Sequence, residues 1–172
     1  MSAEPPYHIR TGNEKDAVGL RTVIGSTLSR PEGGGRRTGY RAAADREELL
    51  VLERYDAHTR DWAACAFVVW HIRVDDVLTI RDAGTEGAKP HPGMVKQLIL
   101  ELLRSLSPVE AIVKVRRDSD EWNEILSEIA GFVVEGGEYR RPYWINIWRW
   151  TRQAAVRPAR GTARPARRMQ PR

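Results

Sequence analysis

The chain has little of what a secreted or membrane protein needs. Cys65 is its single cysteine among 172 residues, which excludes an internal disulfide framework. No apolar run approaches the ~18 residues that a membrane span requires. Met1–Pro6 lacks the basic and apolar segments of a secretory signal. We therefore expect a soluble, cytoplasmic protein in which Cys65, inside the apolar run Trp62–Trp70, is a buried structural thiol.

Acidic residues are absent from residues 151–172, which contain seven arginines. Since the whole chain has a formal net charge of only +5, residues 1–150 carry about −2. The apolar fraction of 41% and the length suit one folded domain, predicted over residues 1–150. The Arg/Pro/Ala-rich tail lacks apolar periodicity, which predicts disorder. Residues 152–172 could contact nucleic acid nonspecifically, or they could only increase solubility.

The spacing of apolar residues predicts a mixed α/β domain. Strands dominate the first half, and strands and helices alternate in the second half. The predicted strands are Tyr7–Arg10, Leu49–Tyr55, Trp62–Trp70, Val77–Arg81, Ala111–Val115, Phe132–Val134 and Tyr143–Trp150. The predicted helices begin after the N-cap Asn13 (with Ala17, Leu20, Ile24 and Leu28 on one face), at Ala42, near Gly93 and at Asp118. The main predicted loops are Ser29–Arg41, Asp82–Pro92 and the turn Glu135–Arg141.

The helix near Gly93 is the clearest element. Its apolar residues form one stripe, and Pro108 ends it. It is long enough to be a right-handed crossover between parallel strands. The order strand, loop, helix, strand, helix and then Gly131-Phe132 resembles the GNAT superfamily of acyl-coenzyme A-dependent N-acyltransferases over residues 7–150. The resemblance implies a twisted, mostly antiparallel sheet of six or seven strands, splayed near its middle, with helices on both faces.

The resemblance also implies acetyl-CoA as co-substrate and a small-molecule or protein amine as acceptor. In the family, the loop before this helix carries Arg or Gln, two residues, Gly, one residue, then Gly or Ala. Pro90, Gly93 and Val95 stand at these positions, so only the first glycine matches. The backbone amides at the helix start could still bind a pyrophosphate, because the helix dipole favours an anion there. The alternative is an ordinary loop that caps a helix. The cofactor-binding residues predicted in this way are Ile80, Arg81, Lys89, Gly93, Met94 and Val95.

Acetyl transfer to an amine requires a base that removes a proton from the ammonium form. Asp82, at the exit of the strand Val77–Arg81, is the first candidate, although an Asp there could simply cap the loop. His71 is the second candidate and could also be a structural histidine. Glu53 and His91 are weaker candidates.

Many members of the family carry a tyrosine acid four residues before the glycine of the Gly-Phe step. Ser127 stands there and is a much weaker acid than a phenol. Tyr139 or Tyr143 could replace the missing tyrosine, or both could be packing residues.

These departures from the family pattern leave a second hypothesis open. The chain could be a catalytically weakened GNAT-like binding or accessory module, associated with nucleic acid through its basic tail. A third hypothesis keeps the enzyme but makes nucleic acid the acceptor, which Trp144, Trp148 and Trp150 on one strand face would suit. The same tryptophans could instead pack on helices or form a dimer surface, so both a monomer and a homodimer are possible.

Overall fold

The computed structural model describes residues 6–33 and 39–156. Within these residues the chain forms eight strands and five helices, in the following order: β1 (Tyr7–Thr11), α1 (Glu14–Val23), β2 (Ile24–Thr27), α2 (Gly39–Asp45), β3 (Leu49–Asp56), β4 (Asp61–Ile72), β5 (Leu78–Glu86), α3 (Pro92–Leu106), β6 (Glu110–Arg116), α4 (Asp120–Ser127), β7 (Phe132–Arg140), β8 (Tyr143–Thr151) and α5 (Arg152–Val156). None of these helices is long and apolar enough to cross a membrane.

All strands belong to one sheet, in the order β1-β3-β4-β5-β6-β8-β7. Neighbours are antiparallel except β5 and β6, which are parallel and connected through α3. The predicted mixed, mostly antiparallel sheet is therefore confirmed. Seven strands form this path, and the eighth, β2, pairs with β5 and was not predicted.

Helices cover both faces of the sheet and create two buried cores. Leu20 of α1 and Tyr40 of α2 pack with Phe67 on one face. The apolar stripe of α3 and Trp122 of α4 pack with Val68 on the other face. The two residues from β4 point to opposite faces because side chains alternate along a strand. This explains why β4 is apolar on both sides, as expected for a strand inside a covered sheet.

The predicted N-cap of α1 is confirmed. The Asn13 side chain accepts from the Asp16 amide at 3.1 Å, and the Asp16 carboxylate accepts from the Asn13 amide at 2.8 Å, which completes a capping box. The predicted continuation of this helix through Ile24 and Leu28 is wrong. Ile24 lies in the core beneath α1 and α2, whereas Leu28 lies in the core beneath α3 and α4, so this segment passes from one face of the sheet to the other.

The sheet splits between β5 and β6, as the resemblance implied. Their parallel pairing covers only Leu78–Ile80 and Ala111–Val113. The next residue of β5, Arg81, is a β-bulge, because Val69 and Trp70 of β4 pair with Asp82 and Ile80. β5 then continues to Glu86, although residues 82–86 were predicted to be loop. We call the space between these diverging strands the gap.

The C-terminal part differs from the prediction at two places. The predicted turn Glu135–Arg141 is mostly strand, because β7 and β8 pair as far as Arg140 and Tyr143. The predicted disordered tail begins with a helix, α5, at Arg152–Val156. Its Ala155 packs against the core beneath α3 and α4. The prediction of disorder for the rest of the tail falls on residues 157–172, outside the described residues.

Candidate functional site

Two adjoining cavities lie beside the bulge of β5. The first, about 260 Å³, is the α2 cavity; its lining includes Tyr40, Arg46 and Asp82. The second, about 310 Å³, is the gap cavity, which lies between β5 and β6 and is lined partly by Lys114 and Arg116. Ser29 and Arg81 line both cavities, so the two adjoin each other at the bulge. Bulges commonly redirect side chains next to functional sites.

Asp82, the first predicted base, lies in the α2 cavity. One carboxylate oxygen accepts hydrogen bonds from the amides of Ser29 at 2.9 Å and Ala83 at 3.0 Å. Burial raises the pKa of Asp82 above the usual aspartate value, and these hydrogen bonds only partly oppose the effect. A carboxylate with a raised pKa is a better proton acceptor near neutral pH than an ordinary one.

His71, the second predicted base, lies on the other side of Arg81. Its Nδ1 is 2.7 Å from one carboxylate oxygen of Glu48, and the other oxygen of Glu48 accepts from Arg46 Nε at 2.8 Å. Arg81 and His71 line the same open depression. His71 is therefore held by a carboxylate near the site, but it does not line either cavity.

The two predicted acids lie in different surroundings. The ring of Tyr143 packs against the guanidinium of Arg116, whose Cζ is 3.5 Å from the ring centroid. Because Arg116 lines the gap cavity, Tyr143 lies one residue away from it. Tyr139 packs on Trp144 with ring centroids 5.3 Å apart, and 57% of its surface is exposed. Ser127, at the family's tyrosine position, donates its hydroxyl to the Glu124 carbonyl at 2.6 Å within α4.

The predicted pyrophosphate site at the start of α3 is largely occupied by local hydrogen bonds. His91 is the N-cap: its Nδ1 accepts from the Met94 amide at 3.4 Å, and its carbonyl accepts from the Val95 amide at 3.2 Å. Lys89 pairs with Glu121 at 3.0 Å. Lys89, Gly93, Met94 and Val95 thus come together at this end of α3, whereas Ile80 and Arg81 lie on the far side of residues 82–86 of β5.

The unpredicted strand β2 lies between these two groups. It pairs with the β5 edge that faces the gap. Backbone hydrogen bonds at the two ends of this pairing hold it in place: Gly25 N to Gly87 O at 3.0 Å, Gly87 N to Val23 O at 3.1 Å and Leu28 N to Ala83 O at 2.9 Å. Glycines make this approach possible, because a Cβ on Gly84 would lie 2.9 Å from Ile24 Cγ2. Gly25, Gly84 and Gly87 are the sequence signal for β2, although Gly84 and Gly87 fall in the predicted loop Asp82–Pro92.

Glu53 and Cys65 lie outside the linings of both cavities. Glu53 is 6% exposed and accepts from Arg10 Nε at 2.8 Å; its other oxygen is 2.8 Å from His8 Nδ1. Arg10 also binds both carboxylate oxygens of Asp16, at 2.7 and 2.9 Å, so this network joins β1, α1 and β3 away from the cavities. Cys65 is buried, and burial raises the pKa of its thiol to about 11, as expected for an inert thiol.

The tryptophans of β8 mostly serve packing. The indole N–H of Trp148 donates to Asn123 at 2.9 Å, and that of Trp150 donates to the Ala130 carbonyl at 3.1 Å. Both side chains are buried beneath the helices. Trp144 is 52% exposed and lies near Arg117, whose Cζ is 5.2 Å from the ring. The packing alternative is therefore confirmed for Trp148 and Trp150.

Comparison with known proteins was informative only at the level of structure, since no protein-family profile and no curated protein sequence matches the chain. A GNAT-family acetyltransferase from Bacillus cereus superimposes with a TM-score of 0.65 at 10% identity, covering 85% of this chain and 97% of that one. Ard1 from Thermoplasma volcanium gives 0.63 at 17% identity, covering 84% and 97%. A putative acetyltransferase from Salmonella typhimurium, solved with its cofactor acetyl-CoA, gives 0.62 at 11% identity, covering 92% and 99%. From the divided sheet to the helices on both faces, the chain therefore has the fold of the GNAT acetyltransferases.

Proposed function

We propose that the chain is an N-acetyltransferase that moves an acetyl group from acetyl-CoA to a primary amine. The observation that carries this proposal is the break in the sheet after Ile80. At this break, the bulge at Arg81 opens two adjoining cavities and a carboxylate with a raised pKa, that of Asp82, faces one of them. The fold shared with acetyltransferases, one of them solved with acetyl-CoA, supports the same conclusion.

The residues at the start of α3 fit the phosphates of acetyl-CoA if two weak contacts are exchanged. The hydrogen bond from the Met94 amide to His91 is long, at 3.4 Å, so a phosphate oxygen could replace the imidazole at little cost. Lys89 is 79% exposed, and its surface ion pair with Glu121 contributes little to stability. Gly93 presents no side chain toward such a ligand. We therefore retain Lys89, Gly93 and Met94 as proposed cofactor contacts. We do not retain Val95, because its amide donates to the His91 carbonyl.

Acetyl-CoA supplies the acetyl group as a thioester. In the proposed reaction, the amine nitrogen attacks the thioester carbonyl, a carbon–nitrogen bond forms and the carbon–sulfur bond breaks. Asp82 accepts the proton that the nitrogen loses, directly or through water. Tyr143 or water donates a proton to the departing sulfur. His71 is the alternative base, and Glu48 holds its imidazole in place through Nδ1.

Isothermal titration of the full-length protein with acetyl-CoA tests the proposal. We expect a dissociation constant in the micromolar range, and no measurable binding by Gly93→Glu, because the substitution adds a negative charge where the phosphates would lie. Gly19→Glu is the matched control: Gly19 is exposed in α1, and a Cβ there would have no neighbour within 4 Å. Absence of binding by the wild type up to millimolar ligand would overturn the proposal.

The position of β2 favours a second candidate, a binding or accessory module without catalysis. An extended ligand that runs from the start of α3 to Asp82 must pass along residues 82–86, and β2 already covers that edge of β5. A variant that loosens β2, Gly25→Ala, separates the possibilities. If neither the wild type nor Gly25→Ala binds acetyl-CoA, the second candidate is favoured. If only Gly25→Ala binds, β2 blocks the cofactor site of the wild type, and the proposed activity is overturned for the wild type.

Contact between residues 152–172 and nucleic acid remains a prediction, as do the cytoplasmic location and the oligomeric state. Deleting residues 157–172 should abolish any salt-sensitive binding to single-stranded DNA, because those residues carry most of the uncompensated arginines.

A further inference from the structure

The gap cavity is lined by four cationic side chains, those of Arg81, Lys114, Arg116 and Arg140, and by no acidic residue of the ranges 6–33 and 39–156. We propose that this cavity binds the anionic group of the acceptor, so that the substrate is a small amine that also carries a carboxylate or a phosphate. The inference rests on the proposed acetyl transfer and specifies its acceptor.

The charges of the gap cavity are only partly compensated. Among the described residues, no acid lies within ion-pair distance of Arg81. Lys114 and Arg140 share one carboxylate, that of Glu138, with their nitrogens 3.0 and 2.6 Å from the same oxygen. An anion that enters the cavity can therefore pair with Arg81 and replace Glu138 at one of the other two cations. The site thus favours an anionic ligand over a neutral one.

Arg116 has a different role, because its charge is already compensated. It pairs with Asp118 at 2.7 Å and with Glu32 at 2.6 Å, and it packs flat against Tyr143. Its side chain is only 17% exposed, so it forms a fixed wall of the cavity. Removing it would disturb the hairpin as well as the charge, which makes Arg81 the better position for a test.

The arrangement of the two cavities connects the anion to the chemistry. Ser29 and Arg81 line both, and Asp82 lies directly after Arg81 in the α2 cavity. If the anionic group of an acceptor lies in the gap cavity, an amine that is separated from this group by two or three bonds would lie near Asp82. Arg30 and Arg81 line the α2 cavity and disfavour an ammonium ion there, which lowers the pKa of a bound amine and favours its neutral, nucleophilic form. Arg46 contributes less, because it is paired with Glu48. A simple amine gains no compensating attraction there.

The size of the gap cavity favours a small molecule over a polymer. About 310 Å³ is at the lower end of the range for small-ligand pockets. The inference assigns the guanidinium of Arg81 to the acceptor, whereas the sequence predicted Arg81 as a cofactor contact. Two substitutions distinguish these roles: Arg81→Gln at the bulge and Lys89→Gln at the start of α3. Both remove one exposed cation that lies in no core.

The first experiment measures binding to the full-length protein by calorimetry with O-phosphoethanolamine as the probe. We expect Arg81→Gln to weaken binding at least tenfold and Lys89→Gln to change it less than twofold. For the binding of acetyl-CoA we expect the reverse: Lys89→Gln should weaken it at least tenfold, and Arg81→Gln should change it less than twofold. The inference is overturned if the wild type does not bind the probe, if both variants weaken it equally, or if Arg81→Gln weakens acetyl-CoA instead.

The second experiment compares three acceptors that share an aminoethyl group and differ in charge: O-phosphoethanolamine, β-alanine and ethanolamine. Release of coenzyme A gives kcat/KM for each. We expect values for the two anionic amines at least tenfold above ethanolamine. Arg81→Gln should remove this advantage, so that the kcat/KM values for the two anionic amines fall to within about twofold of the value for ethanolamine with the same variant. Equal rates for all three would refute the inference while leaving acetyl transfer intact. A third outcome separates the two proposals. If O-phosphoethanolamine binds in a way that depends on Arg81, but acetyl-CoA releases no coenzyme A with any of the three amines, the anion site is retained and the proposed function is refuted.

Discussion

Replacing Gly25 by alanine tests the placement of β2, the element on which access to the gap depends. A Cβ built on Gly25 lies 2.5 Å from the carbonyl oxygen of Gly87 and 3.0 Å from Ala88 Cα. Both neighbours are backbone atoms, so no side chain can rotate away. The substitution must therefore push β2 from β5 and stretch the two hydrogen bonds that join Gly87 to Gly25 and Val23, at 3.0 and 3.1 Å.

The expected loss of stability follows from these contacts. Overpacking of this kind costs about 1–3 kcal/mol, and each backbone hydrogen bond contributes about 0.5–1.5 kcal/mol. Because both penalties relax in part when β2 shifts, we expect a total of about 2–3 kcal/mol. For a chain of this size, 1 kcal/mol changes Tm by roughly 2–4 °C. Gly25→Ala should therefore melt roughly 5–10 °C below the wild type.

Differential scanning calorimetry of the full-length protein measures this change. Gly19→Ala is the matched control, because Gly19 is exposed in α1 and a Cβ there has nothing within 4 Å. That substitution should raise stability by about 0.5–1 kcal/mol, the usual gain from replacing a helical glycine by alanine. A Tm for Gly25→Ala equal to or above that of the wild type would show that β2 does not lie against residues 84–87.

Three further predictions concern buried or titrating charges. Arg10→Met should lower the free energy of unfolding, measured by urea denaturation, by about 3–5 kcal/mol, because it leaves Asp16 and Glu53 buried without their cation. Arg104→Met, on the exposed face of α3, is the control and should leave the urea midpoint unchanged. Equal effects of the two substitutions would contradict the argument. Burial raises the pKa of Asp16, but the hydrogen bonds from Arg10 and the Asn13 amide outweigh it and lower the pKa overall. The stability that Asp16 contributes is thus present above the usual aspartate pKa and lost as pH falls through the lowered one, so the Tm difference between wild type and Asp16→Asn should shrink in acid; a constant difference would be inconsistent. If Asp82 is the base, kcat/KM should rise with pH through a pKa above the usual aspartate value. Asp82→Asn should abolish this pH dependence and lower the rate by about 10²–10⁴-fold. If the pH profile of Asp82→Asn is the same as that of the wild type, His71 is the base instead.

Much of the fold follows from local patterns in the sequence. The capping box at Asn13 and the apolar stripe of α3 depend only on residues within a few positions of each other, so the sequence predicts them well. The strand β2 was missed for the opposite reason. Ile24 and Leu28 continue the helical spacing of Ala17 and Leu20, but long-range pairing with β5 outweighs that spacing and buries the two residues on opposite faces of the sheet.

The candidate site was only partly predictable. Asp82 was found because it follows a recognisable strand, but its partner Ser29 is 53 positions away in sequence. Lys114 and Arg116 are two positions apart in β6, and this spacing places both cations on the same face of the strand. Arg140 joins them only through the β7–β8 hairpin, whose length was underestimated. The capping of α3 by His91 depends on a side-chain orientation that no sequence pattern specifies.

The short parallel pairing of β5 with β6 has a consequence for how the chain can be divided. Every strand before α3 pairs only with others from residues 7–86, and every strand after it pairs only within residues 110–151, apart from the three-residue contact at Leu78–Ile80. The division of the sheet thus coincides with one point along the chain, the segment that contains α3. Each half completes its own hydrogen-bonded ladder, which is the property of a cooperative folding unit. We expect two fragments separated in the loop before α3 to reassemble when mixed, because the packing of α3 and α4 on the sheet would join them.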